Sequence, residues 1–85
     1  MKKESKIILV SGVAIKFKEE DKVIINDNEL SVREIPMYVM DLKDNIVIKH
    51  NIDTGEYMEY YLTREKITWA YYSEVPEEEE EKEWN

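Results

Sequence analysis

The stretch Ile7-Ile8-Leu9-Val10-Ser11-Gly12-Val13-Ala14-Ile15-Lys16-Phe17 carries the clearest pattern in the chain. Its odd positions are nearly all apolar, and its even positions pass from apolar residues to Lys16. A period of two sends successive side chains to opposite faces of a β-strand. Gly12 in mid-run reads as a bulge or bend. The expectation is one long strand, strongly curved or kinked at Gly12.

The same alternation continues outward. Lys18-Glu19-Glu20-Asp21 is a charged turn, and residues 22–26 form a short strand. Asn26-Asp27-Asn28-Glu29 is turn chemistry, because Asn and Asp tolerate positive φ and bond their own backbone. Alternation resumes from Leu30 to Ile35, so residues 22–35 read as a hairpin. Pro36 lacks an N–H and belongs at an edge, a bulge or a strand start. Met37 to Leu42 follows, up to the turn Lys43-Asp44-Asn45.

Residues 46–52 alternate again, with Ile46, Ile48, His50 and Ile52 against Val47, Lys49 and Asn51. Asp53-Thr54-Gly55 suits a type I turn closed by Gly55 in the left-handed region as a G1 bulge. Residues 56–63 then pair back on 46–52. Thr63-Arg64-Glu65-Lys66 fits a single helical or 3₁₀ turn, residues 67–75 form the last strand, and Pro76 ends it.

These readings predict a mainly all-β domain over residues 1–75 and an acidic, disordered tail over 76–85. The expected architecture is a small antiparallel barrel or strongly bent sheet of about five to seven strands. The order strand, strand, turn, strand, short Thr63–Lys66 turn and last strand resembles that of SH3-like and Sm-like small barrels. The resemblance lies in size and element order and implies no functional residues.

Face assignment follows the alternation. Ile46, Ile48, Ile52, Met58, Tyr60, Leu62, Ile67, Trp69 and Tyr71 are expected inside. Val47, Lys49, Asn51, Tyr57, Glu59, Tyr61, Thr68, Ala70 and Tyr72 are expected outside. An outer face that holds Tyr57, Tyr61 and Tyr72 is unusually aromatic, and tyrosine is enriched at interfaces.

Composition narrows the chemistry. With no cysteine in 85 residues, the chain has no disulfide, thiol nucleophile, zinc finger or iron–sulfur site. This fits a reducing compartment, and the expected location is the cytoplasm, or a host's cytoplasm for a viral protein. No apolar run approaches the ~20 residues of a membrane span. Glu4 and Lys6 interrupt the basic start, so it does not read as a signal peptide.

Two glycines leave no phosphate-cradling loop. His50 is the only histidine, and nothing local supports a triad drawn from Ser11, His50 and Asp53. The acidic segment from Asp21 to Glu29 lacks the spacing and glycine of a calcium loop. Neither a metal nor a cofactor is expected.

The formal net charge is −8. Residues 74–85 hold seven acids and Lys82, and residues 1–73 hold thirteen acids and eleven bases, so −6 of that charge lies in the last twelve residues and −2 in the rest. Direct nucleic-acid binding is therefore not expected, since it needs clustered Lys and Arg. Trp84 at the end of the run Glu77–Glu81 suits an anchor for a basic partner.

The leading functional expectation is a non-enzymatic protein-interaction module, self-associating, with Tyr57, Tyr61, Tyr72 and Trp84 as candidate contacts. Two alternatives stand beside it. One is a small acidic inhibitor from a virus or mobile element, acting as a decoy for a nucleic-acid-binding host enzyme. The other is a small nucleic-acid-binding barrel with an autoinhibitory acidic tail.

Overall fold

The structure is a computed structural model that describes residues 1–76. Residues 77–85 of the expected tail, Trp84 among them, lie outside the described residues. Strands β1 (Lys2–Leu9), β2 (Ala14–Lys18) and β7 (Ile67–Val75) form an antiparallel sheet in the order β2-β1-β7. Strands β3 (Lys22–Ile25), β4 (Asn28–Leu30), β5 (Asn45–Asn51) and β6 (Tyr57–Thr63) form a second in the order β4-β3-β5-β6. Helix α1 (Ile35–Asp41) connects β4 to β5, and a 3₁₀ turn (Arg64–Lys66) connects β6 to β7.

The mainly β, antiparallel character is as expected, but among the described residues there is no closed barrel. Two sheets, each with open outer strands, share one core with the helix. Ile7, Ile15 and Phe17 enter it from the first sheet. Val23, Ile25, Ile46 and Ile48 enter from the second, and Ile35 and Val39 from α1.

Gly12 is where the first expectation fails. The run 7–17 is a hairpin, not one bent strand. Leu9 N–H donates to the Val13 carbonyl at 2.9 Å, Gly12 N–H donates to the Leu9 carbonyl at 2.8 Å, and Gly12 has φ +95°. The Asp53-Thr54-Gly55 loop repeats this arrangement: Ile52 N–H to Glu56 carbonyl, 2.7 Å; Gly55 N–H to Ile52 carbonyl, 2.8 Å; Gly55 φ +107°. Both are type I turns closed by a glycine at positive φ. Alternation runs unbroken through Gly12 because Val10 and Ser11 occupy a tight turn between two strands that each keep the period. At Asn26 (φ 49°) and Asp27 (φ 71°) the β3–β4 turn takes the type I′ form expected of such residues.

The second difference is α1, which replaces the strands expected around Pro36. Pro36 occupies the first turn of the helix, where its missing N–H has no intrahelical partner to lose. Just before it, Ser31-Val32-Arg33-Glu34 has the spacing of a capping box. Glu34 Oε1 accepts the Ser31 N–H at 2.9 Å, and the Ser31 carbonyl accepts the N–H groups of Glu34 and Ile35. Val32, Ile35 and Val39 are buried, and Leu42 packs beside them, a helical rather than a two-residue spacing.

The third difference is in β7. Leu9 pairs with Ile67 and Ile8 pairs with Trp69, so Thr68 is an extra residue without a partner on β1. Such a bulge exchanges the two faces beyond it. Ile67 is buried, but Ala70 and Tyr72 then pack on the core while Trp69 is 49% exposed. The expected inside and outside residues of β7 are thereby reversed after Ile67. Met58, expected inside, is exposed on the outermost strand, and Val13 is exposed where the β1–β2 turn ends.

Where the chain leaves β2 for β3, the buried Asp21 carboxylate gathers three donors. Oδ2 accepts the Lys18 N–H at 3.0 Å and meets His50 Nε2 at 2.8 Å. Oδ1 accepts the Asp53 N–H at 3.0 Å. The His50 ring lies 4.7 Å from that of Phe17, centroid to centroid. One side chain thus joins the end of the first sheet to β5 and its turn. Desolvation raises the Asp21 pKa, but the hydrogen bonds from Lys18, His50 and Asp53 outweigh it and hold the carboxyl below its usual 3.8.

Two stability tests follow from these contacts. An added Cβ at Gly12 or Gly55 meets nothing within 4 Å, so Ala costs only backbone strain. Gly12→Ala and Gly55→Ala should each lower stability by roughly 1–2 kcal/mol in urea unfolding. Asp21→Asn should cost on the order of 3 kcal/mol at neutral pH. Because the folded-state pKa of Asp21 is depressed, its contribution is complete above the unfolded value and fades as pH falls through the folded one. The gap between wild type and Asp21→Asn should therefore close only below about pH 4.

Candidate interaction face

The β5–β6 hairpin presents the most organised polar face in the second sheet. Its register sets Val47 opposite Tyr61, Lys49 opposite Glu59 and Asn51 opposite Tyr57. Tyr57, Glu59 and Tyr61 share one side of β6 because they are two residues apart. Met58, Tyr60 and Leu62 take the other side, where Tyr60 and Leu62 pack on the core.

Both flanking phenols donate to the carboxylate between them, Tyr57 to Oε2 and Tyr61 to Oε1 of Glu59. These two bonds, helped by the Lys49 charge, hold the Glu59 pKa below its usual value against a smaller opposing effect of desolvation. The bond to Glu59 in turn stabilises the protonated phenol, pushing the Tyr57 pKa up to about 12; Tyr61 is raised for the same reason. The rings are thus tethered at their tips, yet Tyr57 is 49% and Tyr61 is 71% exposed. Among the described residues β6 ends its sheet and pairs on one side only.

Tyr72 does not join this face. It lies on β7 in the other sheet, half-buried against the core, with the Arg33 guanidinium 5.1 Å from its ring centroid. Its hydroxyl donates to Glu74 at 2.8 Å, and Arg33 reaches the same carboxylate at 3.9 Å. Burial and the Glu74 bond raise its pKa, against the lowering effect of Arg33. Trp84 lies outside the described residues.

His50, Ser11 and Asp53 form no constellation. His50 is buried with Nε2 on Asp21, and its Nδ1 has no hydrogen-bond partner among the described residues. Ser11 sits in the β1–β2 turn, at the opposite end of that hairpin from Lys18 and Asp21, and Asp53 contributes a backbone N–H. The ring packs and tethers; it presents no base to solvent. Among the described residues no group of three or more His, Cys, Asp or Glu could hold a metal ion, and no helix is long and apolar enough to cross a membrane.

Sequence reading missed one surface feature. Trp69 and Tyr71, expected inside, stack on the outer face of the first sheet with centroids 4.6 Å apart and planes 20° apart. Nothing in the local pattern marks the bulge that turns them outward; only pairing with β1 shows it.

No protein-family model, no curated protein and no solved structure matches this chain.

The phenol–carboxylate pair is open to direct titration. Glu59→Gln removes the charged acceptor, so the Tyr57 pKa should fall from about 12 toward the ordinary 10. Ultraviolet titration of tyrosinate should show one or two tyrosines ionising earlier in the variant, with the others unchanged.

Proposed function

We propose that this protein is a non-enzymatic interaction module that self-associates through β6 and its tyrosine face. The observation that carries the reading is the combination on β6 of a seven-residue outermost strand with two exposed, hydrogen-bonded tyrosines. An outer strand of this length is a template for pairing unless something blunts it. β6 has no proline, no lysine and no bulge; Glu59 is its only charged residue, and both tyrosines engage it.

Two-fold symmetry is the simplest way for one strand to satisfy itself in a second copy. An axis at Tyr60 would set each Tyr61 against the Glu59 of the other copy in antiparallel pairing. The phenols and carboxylates would then form a continuous row, and Tyr61 would lose most of its exposure. The tyrosines supply area at little entropic cost, since their tips are already held.

Light scattering on a sizing column tests the reading. The full chain should have the mass of a dimer, and Tyr61→Lys should return it to monomer with little change in its urea midpoint. A monomeric wild type at high protein concentration would refute self-association. So would a dimer indifferent to lysine at both Tyr57 and Tyr61.

A further inference from the structure

The outer face of the β2-β1-β7 sheet combines the exposed Trp69 ring and the half-buried Tyr71 ring with a set of lysines. Cross-strand pairing puts Lys6 beside Lys16 on one side and Tyr71 on the other, with Ile8 beside Trp69 and Glu4 beside Lys18. Antiparallel partners project to the same side, so Trp69, Tyr71, Lys6, Lys16 and Lys18 share one face. Glu4 is the acid among them; it pairs with Lys16 at 3.3 Å and its side chain is only 15% exposed. The strands of this face thus carry three lysines against one acid, Glu4, in a chain of net charge −8.

We propose that this face binds an unpaired nucleic-acid strand. Trp69 and Tyr71 form the stacking platform, and Lys6, Lys16 and Lys18 meet the phosphates.

The aromatic pair selects this ligand over an acidic peptide. Tyr71 covers one side of the Trp69 indole at 4.6 Å, yet Trp69 remains 49% exposed, so a flat ring is open to stack. Every base offers such a ring, whereas carboxylates would engage the lysines and leave the indole uncovered. Lys16 and Lys18 lie two residues apart on one strand, about 7 Å, and Lys6 one strand over, about 5 Å, a spread that lets a flexible backbone touch all three. The overall acidity is no obstacle in kind, because −6 of the −8 belongs to residues 74–85. It does predict weak, salt-sensitive binding with little sequence preference.

The full chain carrying Trp84→Phe has Trp69 as its sole tryptophan, so its fluorescence reports this face directly. Titration with oligothymidylate at low salt should quench Trp69 saturably. The log–log dependence of affinity on salt should have a slope of about −2 for three phosphate contacts. Lys6→Ser and Lys18→Ser should each weaken binding and reduce that slope by about 0.7 while leaving the urea midpoint unchanged. Glutamine at Glu77–Glu81 should tighten binding by removing repulsion.

Absence of quenching would overturn the proposal. So would quenching indifferent to both lysine changes, or quenching by a polyglutamate peptide in place of the oligonucleotide, which would assign the face to an acidic protein segment. This face and the β6 face belong to different sheets, so Tyr61→Lys should leave oligonucleotide binding intact, and either proposal can fail alone.

Discussion

The Asp21 carboxylate sits where the chain passes from the first sheet into the second, and the packing of both depends on how it is satisfied. Its oxygens collect the Lys18 N–H at the end of β2, the His50 ring on β5 and the Asp53 N–H in the β5–β6 turn. A buried carboxylate left with fewer partners would carry an uncompensated desolvation cost of several kcal/mol. With them, it fixes the direction in which the chain enters β3 and orients the His50 ring against Phe17. Asp21 and His50 sit at the junction of sheets that, among the described residues, share no backbone hydrogen-bond ladder.

Around that junction, single-residue choices decide which faces are inside. Gly12 at φ +95° folds an apolar run back on itself and so creates β1 and β2 from what reads as one strand. Thr68 slips β7 by one residue and turns Trp69 outward. Pro36 and the Ser31–Glu34 bond convert a stretch of alternating residues into a turn and a helix, with Val32 buried in the turn and Ile35 and Val39 laid against the sheets by the helix. Each device is local, but each decides which side chains meet solvent over a whole element.

The resulting molecule has two differently built aromatic surfaces. On β6, tyrosines are tied to a carboxylate on an outer strand, which suits contact with a second polypeptide. On the β2-β1-β7 sheet, an indole and a phenol are stacked and bordered by lysines, which suits a flat anionic ligand. Tyr72, by contrast, is held between Arg33, Glu74 and the core, and serves the packing of β7.

Much of the fold was legible in the chain. The period-two runs marked most strands, Asp53-Thr54-Gly55 marked its turn with the right bulge, and Ile7, Ile15, Val23, Ile25, Ile46, Ile48 and Ile67 are buried as their alternation requires. Tyr57 and Tyr61 on one side of β6 followed from the same period. The Ser31–Glu34 spacing before Pro36 does not by itself mark a helix, because Leu30 and Val32 also satisfy a short strand pattern.

What remained hidden depends on partners distant in sequence. A strand's period fixes which of its side chains share a face, but not which face turns inward; that is settled by the strand beside it and by any unpaired residue in the ladder. Trp69 faces solvent because Thr68 has no partner on β1, and Asp21 meets His50 because β3 pairs with β5. The sequence by itself determined the β character, the turns at Asn26-Asp27 and Asp53-Thr54-Gly55, and the overall charge. The tertiary structure alone decided which aromatic rings and lysines share a surface, since strand pairing brings together residues that local chemistry cannot connect.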